Sequence, residues 1–186
     1  MYEQIIFAGF GGQGIQAMSK MLAQAAMDSG RQVSWMPAYG GAVRGGTSNV
    51  TVMVADEPIG SPMPNAGDIT TGVVMNIPSM LKFESYVEPG GLLLVNSSLI
   101  DVDSSRQDID VIRIPVNDIA SEMGNDKVAN MIMLGCMLSR KKIVEIDALK
   151  RFVKVAFKNK PSIIEINHEA IDRGALYSEQ MGGSDV

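Results

Sequence analysis

Six residues near the start of the chain, Gly9-Phe10-Gly11-Gly12-Gln13-Gly14, follow the pattern G-x-G-x-x-G. That pattern can hold an anion without a charged side chain. Glycines let the backbone turn tightly, and a helix starting behind them offers unpaired N–H groups with roughly half a positive charge. A phosphate fits such a place. The competing reading is that the glycines only let a helix pack closely on a strand. NAD binding, the specific use of this fingerprint, needs an acid at the end of the second strand to hold the ribose hydroxyls. The sequence there is Ser34-Trp35-Met36-Pro37, with no acid, and Asp28 and Arg31 precede the strand. NAD is therefore not expected.

A second glycine cluster, Tyr39-Gly40-Gly41-Ala42-Val43-Arg44-Gly45-Gly46, follows that strand and should share the sheet edge of the first. Glycines around Arg44 would let a ligand or partner backbone approach, while the guanidinium offers its fork to a phosphate or carboxylate. Tyr39 could stack or hydrogen-bond, and Trp35 should lie at the same edge. A plain surface loop with one exposed arginine is the alternative.

Other residues carry less chemistry. Asn130 interrupts an apolar helix and either caps a backbone group or reaches the site. Cys136 reads as a buried thiol and His168 as a surface residue. Glu3, Asp68 and Asp118 are isolated carboxylates without the pairing that acid–base work needs. One cysteine supports neither an internal disulfide nor an iron–sulfur cluster, and one histidine supports no metal site or triad alone. Neither a complete catalytic set nor a metal site is expected in this chain.

These residues need elements to position them. Apolar runs predict strands at Gln4–Ala8, Val33–Met36 (closed by Pro37), Asn49–Ala55, Ile69–Met75, Leu92–Asn96 and Val111–Val116. Pro89-Gly90-Gly91 reads as a turn before the fifth strand. The sixth, with Pro115, belongs at an edge or ends there. Ile15, Met18, Met21, Leu22, Ala25 and Ala26 recur at helical spacing and stop at Gly30. Further helices are expected over Ser79–Val87, Asp118–Glu122, Lys127–Leu138, from an Asp147 cap to Phe157, and over Glu165–Leu176. The order implies a single-domain α/β fold, a three-layer α/β/α Rossmann-like arrangement on a mostly parallel sheet. Residues 1–177 form the domain, and 178–186, without apolar pattern, are expected to be a disordered tail.

The 186 residues carry 16 basic and 21 acidic side chains, a net charge of −5. That balance argues against nucleic acid and against an anionic membrane surface. No apolar run approaches the ~20 residues of a membrane span, so a cytoplasmic location is expected. The 14 methionines fall on apolar positions and read mainly as adaptable core filler.

Taken together, the motifs resemble the gamma subunit, or gamma domain, of 2-oxoacid:ferredoxin oxidoreductases. The resemblance rests on Gly9 to Gly14, and on Tyr39-Gly40 leading to Arg44-Gly45-Gly46. Val52 to Asp56, Pro58-Ile59, Val128-Ala129-Asn130, Leu134-Gly135 and Asn167 to Gly174 extend it over about residues 2–177. It implies a complex that converts a 2-oxoacid plus CoA to acyl-CoA and CO2 while reducing ferredoxin. Thiamine diphosphate and iron–sulfur clusters would then sit in partner alpha and beta subunits, with a ferredoxin-like delta subunit as a further possible partner. The chain itself would be non-catalytic alone and would lie on the CoA side. Gly9, Gly11, Gly12, Gln13 and Gly14, with Tyr39, Arg44, Gly45, Gly46 and Asn130, are its expected binding residues. 2-Oxoglutarate and branched-chain 2-oxoacids lead pyruvate as substrates. The alternative is a stand-alone nucleotide-binding Rossmann-like enzyme or sensor.

Overall fold

The computed structural model describes residues 1–39, 47–60 and 67–182. Six strands form one sheet in the order β2-β3-β1-β4-β5-β6: β1 (Tyr2–Phe10), β2 (Gln32–Tyr39), β3 (Thr47–Ala55), β4 (Ile69–Val74), β5 (Val87–Asn96) and β6 (Asp110–Ile114). β1, β4, β5 and β6 pair in parallel, while β3 is antiparallel to both neighbours, β1 and β2. Five strands thus point one way, and their carboxyl ends share one edge, where open α/β sheets take ligands. Because β3 is inserted between β1 and β2, those two run parallel without pairing.

The helices are α1 (Ile15–Asp28), α2 (Ile77–Phe83), α3 (Val116–Glu122), α4 (Ala129–Arg140), α5 (Ile146–Ala156) and α6 (Pro161–Gly182). They are shared unequally between the two faces of the sheet. Ile5, Phe7, Val50, Val52 and Val54 point into a large core with residues of α1 and α3 to α6. Ile6, Ala8 and Leu93 point the other way, into a smaller core with Met80 and Phe83 of α2. Period-two alternation sorts these side chains, and both faces of β1 are covered, which is why its apolar run is continuous. Every residue of α4 from Ala129 to Leu138 is buried. Its neighbour is α6, and the two cross at glycines: a Cβ on Gly135 would fall 2.1 Å from the Ile171 carbonyl oxygen.

Several boundaries differ from expectation. β2 passes through Pro37 to Tyr39; as an edge strand it tolerates a residue without an N–H. Pro89-Gly90-Gly91 is no turn but lies within β5, where pairing with β4 jumps from Ile69↔Val87 to Thr71↔Leu92. Gly90 there has φ +78° and donates its N–H to Asp108, 2.7 Å. Asp147 sits inside the first turn of α5, behind Glu145, and no side chain caps that helix. α6 begins at Pro161, a favoured first helical residue, and runs past the expected tail boundary. Ser178 is buried and accepts a hydrogen bond from Arg140 Nε at 2.9 Å, so residues 178–182 belong to the helix rather than to a disordered tail.

Candidate functional site

The first glycine cluster lies where expected, between β1 and α1. Gly12 (φ +96°) and Gly14 (φ +75°) take left-handed conformations that a side chain would strain. Gly14 is the N-cap of α1 and supplies no capping side chain, and the first turn holds no acid. The opening amides of the helix are therefore left for an external acceptor. The glycines divide the work. Gly11 and Gly12 have nothing within 4 Å of a Cβ position among the described residues, so the top of the loop is open. Gly9 is a packing glycine, since a Cβ there would meet Gln13 Oε1 and Ile15 Cδ1 at 2.7 Å.

Gln13 fixes the loop rather than facing outward. Its Oε1 accepts from Phe10 N at 2.7 Å and from Asn76 Nδ2 at 3.1 Å, while its Nε2 donates to the Met75 carbonyl at 2.9 Å. Asn76 in turn caps α2, accepting from Ser79 N at 2.9 Å. Asn96, fully buried at the end of β5, donates to Asn117 Oδ1 at 2.8 Å. Asn96 Nδ2 also lies 3.4 Å from the Met75 carbonyl that Gln13 bonds, so through that carbonyl these neutral amides link the carboxyl ends of β1, β4 and β5 to the start of α3.

An open cleft of ≈ 160 Å³ lies against this chain, lined by Gly12, Gly14, Asn117, Asp126, Lys127 and Asn130 among others. Asp126 and Lys127 come from the 3-10 turn Asp126–Val128 that leads into α4. Asn130 Nδ2 lies 3.5 Å from the Gly14 carbonyl, and the residue lines the cleft. It is 9% exposed, and its Oδ1 is buried without a partner among the described residues. A second cleft, ≈ 260 Å³, opens on the other side of the loop between Phe10, Gly11, Gln16, Ala17 and Ser48.

Arg44, Gly45 and Gly46 lie outside the described residues. The register of their flanks is informative: Tyr39 pairs with Ser48, and Ser48 and Thr47 pair with Gly9 and Phe10. The chain on either side of residues 40–46 therefore stands beside the first glycine loop. Trp35 is not at that edge. It lies mid-strand opposite Val52, donates Nε1–H to Ser19 Oγ at 3.0 Å, and carries the Lys20 ammonium 5.0 Å from its ring centre, over the second turn of α1.

The cleft offers backbone N–H donors, amides, one ammonium and one carboxylate. That equipment suits binding of an anionic ligand. Cys136 is remote and buried in α4, and desolvation pushes its thiol up to about 11. His168 Nε2 lies 3.0 Å from the Lys150 carbonyl, a contact between α6 and α5. Among the described residues no three His, Cys, Asp or Glu side chains gather to hold a metal ion. Sequence reasoning missed Asn76, Asn96, Asn117, Asp126 and Lys127. The first two do carry a signal, an amide set directly behind an apolar strand.

A family model described as pyruvate ferredoxin/flavodoxin oxidoreductase matches residues 4–177. The ketoisovalerate oxidoreductase subunit VorA of Methanothermobacter marburgensis is 36% identical over 179 residues, 95% of this chain and 37% of that protein. The chain therefore spans little more than a third of that relative's length. Among solved structures, the gamma subunit of a keto/oxoacid ferredoxin oxidoreductase from Geobacter sulfurreducens superposes with a TM-score of 0.82 at 24% identity, over 96% of this chain and 99% of that one. The 2-oxoglutarate:ferredoxin oxidoreductase of Magnetococcus marinus, solved with 2-oxoglutarate, coenzyme A and succinyl-CoA bound, superposes with a TM-score of 0.84 at 22% identity, over 96% of this chain and 31% of that one. Both likenesses are of fold.

Proposed function

This chain belongs to the pyruvate ferredoxin/flavodoxin oxidoreductase family, and from that premise we propose that it is the gamma-type subunit of a thiamine diphosphate-dependent 2-oxoacid:ferredoxin oxidoreductase. The complex converts a 2-oxoacid plus CoA to acyl-CoA and CO2 and reduces ferredoxin. This subunit holds part of CoA and is inactive alone. The observation that carries the reading is the uncapped start of α1, open at Gly11 and Gly12 and flanked by Lys127 and Asn130 in one cleft. The CoA named in the Magnetococcus marinus complex supports it.

In this reading the N–H groups of Gly14, Ile15 and Gln16 donate to phosphate oxygens, the Gln13 N–H being held by the Phe10 carbonyl at 3.2 Å, and Lys127 adds a positive charge beside them. Gln13 keeps those donors pointed at the ligand. Arg44, between Tyr39 and Gly45-Gly46, supplies a guanidinium to CoA or to a partner carboxylate from the neighbouring connection. The residues present do not fit an iron–sulfur cluster: the chain has one cysteine, and it is buried. Clusters and thiamine diphosphate belong to alpha and beta partners, with a delta subunit as electron carrier. The complex works in the cytoplasm; no helix among the described residues is long and apolar enough to cross a membrane.

Isothermal titration of the full chain tests the reading. CoA should bind weakly, because partners complete the site, and NADH should not bind. Saturable NADH binding with none for CoA would turn the assignment towards a stand-alone nucleotide-binding protein. Ferredoxin reduction by the lone chain would also overturn it.

A further inference from the structure

Half of the sixteen basic side chains fall in one short stretch. Residues 140–160 hold eight bases and two acids, a local net charge of +6, while the other 165 residues hold eight bases and nineteen acids, a net of −11. The stretch contains α5, which buries Ala148, Leu149 and Val153 and packs against α1 and α6. Three of the bases are used within the fold: Arg140 donates to Ser178, Lys141 lies 3.7 Å from Glu3, and Lys150 pairs with Asp172. The other five, Lys142, Arg151, Lys154, Lys158 and Lys160, are exposed and make no ion pair among the described residues.

Arg151, Lys154 and Val155 share the outer face of α5, at positions i, i+3 and i+4, and Lys158 and Lys160 follow directly behind the helix. Val155 is 67% exposed, more than any other large apolar side chain among the described residues. The two acids of the stretch, Glu145 and Asp147, stand at the opposite end of the helix. The helix dipole favours a cation in the last turn, which accounts for Lys154. It accounts neither for Arg151 nor for an uncovered valine among cations.

We propose that this face docks an acidic soluble protein, the electron acceptor of the complex, an assignment that rests on the oxidoreductase reading above. Charge selects the class: unpaired cations beside one apolar side chain attract a carboxylate-rich surface and give it a dry point of contact. A permanent subunit seam is a poor fit, because the centre of such an interface is apolar and depleted of charge. Nucleic acid or an anionic membrane is a poor fit too, because so extended a polyanion would also meet the acidic remainder of the chain. A small acidic protein meets only the basic face, and the surrounding negative charge turns it towards that face. In the reading above, the acceptor is the protein partner that must arrive and leave at every turnover. A charge-steered contact with little apolar area suits that traffic.

The test uses the reconstituted complex and compares an acidic ferredoxin with methyl viologen, a small dication that a basic face does not attract. The triple variant Arg151→Gln/Lys154→Gln/Lys158→Gln should raise the KM for ferredoxin at least about tenfold at low salt. Viologen reduction and the apparent KM for CoA should stay at wild-type values. The gap should close as salt rises from about 0.01 to about 0.15 M, across which the screening length falls from about 30 to about 8 Å. Lys154→Glu should raise the ferredoxin KM about fivefold, and Lys82→Glu, an equal change of charge on α2, should not. These single variants decide the matter if the triple variant does not fold.

The docking assignment falls if the ferredoxin KM does not move, if Lys82→Glu acts as strongly as Lys154→Glu, or if viologen reduction falls in step. It also falls if the triple variant no longer assembles with its partners, which would make the face a permanent seam. Salt-sensitive binding of the wild-type chain to anionic vesicles, to RNA or to its own copies, with the ferredoxin KM unmoved, would give the face to another polyanion. All of these outcomes leave viologen reduction by the wild-type complex, and with it the oxidoreductase reading, standing. A wild-type complex that reduces neither acceptor would end both.

Discussion

Gly174 of α6 lies directly on the Ile132 carbonyl of α4: a Cβ built on Gly174 would stand 1.9 Å from that oxygen. With Gly135 against Ile171 in the opposite sense, the two helices meet backbone to backbone, and the contact fixes how α4 presents Asn130 to the glycine loop.

Gly174→Ala should therefore destabilise the fold by about 3 kcal/mol or more, through forced separation of two buried helices. Helix propensity alone would stabilise it by about 1 kcal/mol, so the sign of the change decides the matter. Urea unfolding of the variant against wild type is the measurement. Equal or higher stability would show that the crossing is looser than described.

Gln13→Leu should remove three hydrogen bonds at once and lower stability by about 2–3 kcal/mol, because the Phe10 N–H loses its acceptor and the Met75 carbonyl keeps only the longer bond from Asn96 Nδ2, 3.4 Å. Gly11→Ala should change stability by no more than about 0.5 kcal/mol, because its surroundings are open and its φ is not left-handed. If Gln13 were instead a ligand-facing residue, the two variants would differ in CoA affinity and hardly at all in urea.

Arg44→Ala should leave stability within about 0.5 kcal/mol of wild type. In the reconstituted complex it should raise the apparent KM for CoA or lower turnover by roughly tenfold, the effect of a lost charge-assisted bond. Viologen reduction across a CoA titration reads both. Unchanged kinetics together with unchanged subunit association would remove Arg44 from the site.

Cys136 gives the fold an alkaline limit. Burial raises its thiol from an ordinary value of 9.0 to about 11. Between those values the unfolded chain has lost the thiol proton and the folded chain keeps it, so stability falls as pH rises through that window. Urea midpoints at pH 8 and pH 10 should differ more for wild type than for Cys136→Ala. The native thiol should also resist a water-soluble disulfide reagent at pH 8 until urea is added. Prompt labelling of the native protein would contradict its burial.

The parts of the fold that local chemistry decides were legible in the sequence. β1, the glycine turn and α1 form one continuous run in which strand, φ-permissive residues and helical spacing follow each other. Pro89-Gly90-Gly91 misled because it is also a turn signature, and only pairing with β4 keeps these residues inside β5. The end of α6 was hidden for a similar reason: the partner that buried Ser178 finds there, Arg140, is 38 residues away. The amide chain was least visible. Asn76, Asn96 and Asn117 stand far apart in sequence, and the strand order brings them together. The alternation of Val50, Val52 and Val54 identified β3 as a strand but did not reveal that it runs against the others.

The bonds made by Gln13 have a mechanical consequence. A glycine-rich loop between a strand and a helix could serve as a hinge, but here one side chain clamps its base to Phe10, Met75 and Asn76. The loop moves with the sheet as a stiff bracket. In the complex proposed above, opening and closing around a ligand would carry this loop as one rigid jaw with its sheet rather than bend it.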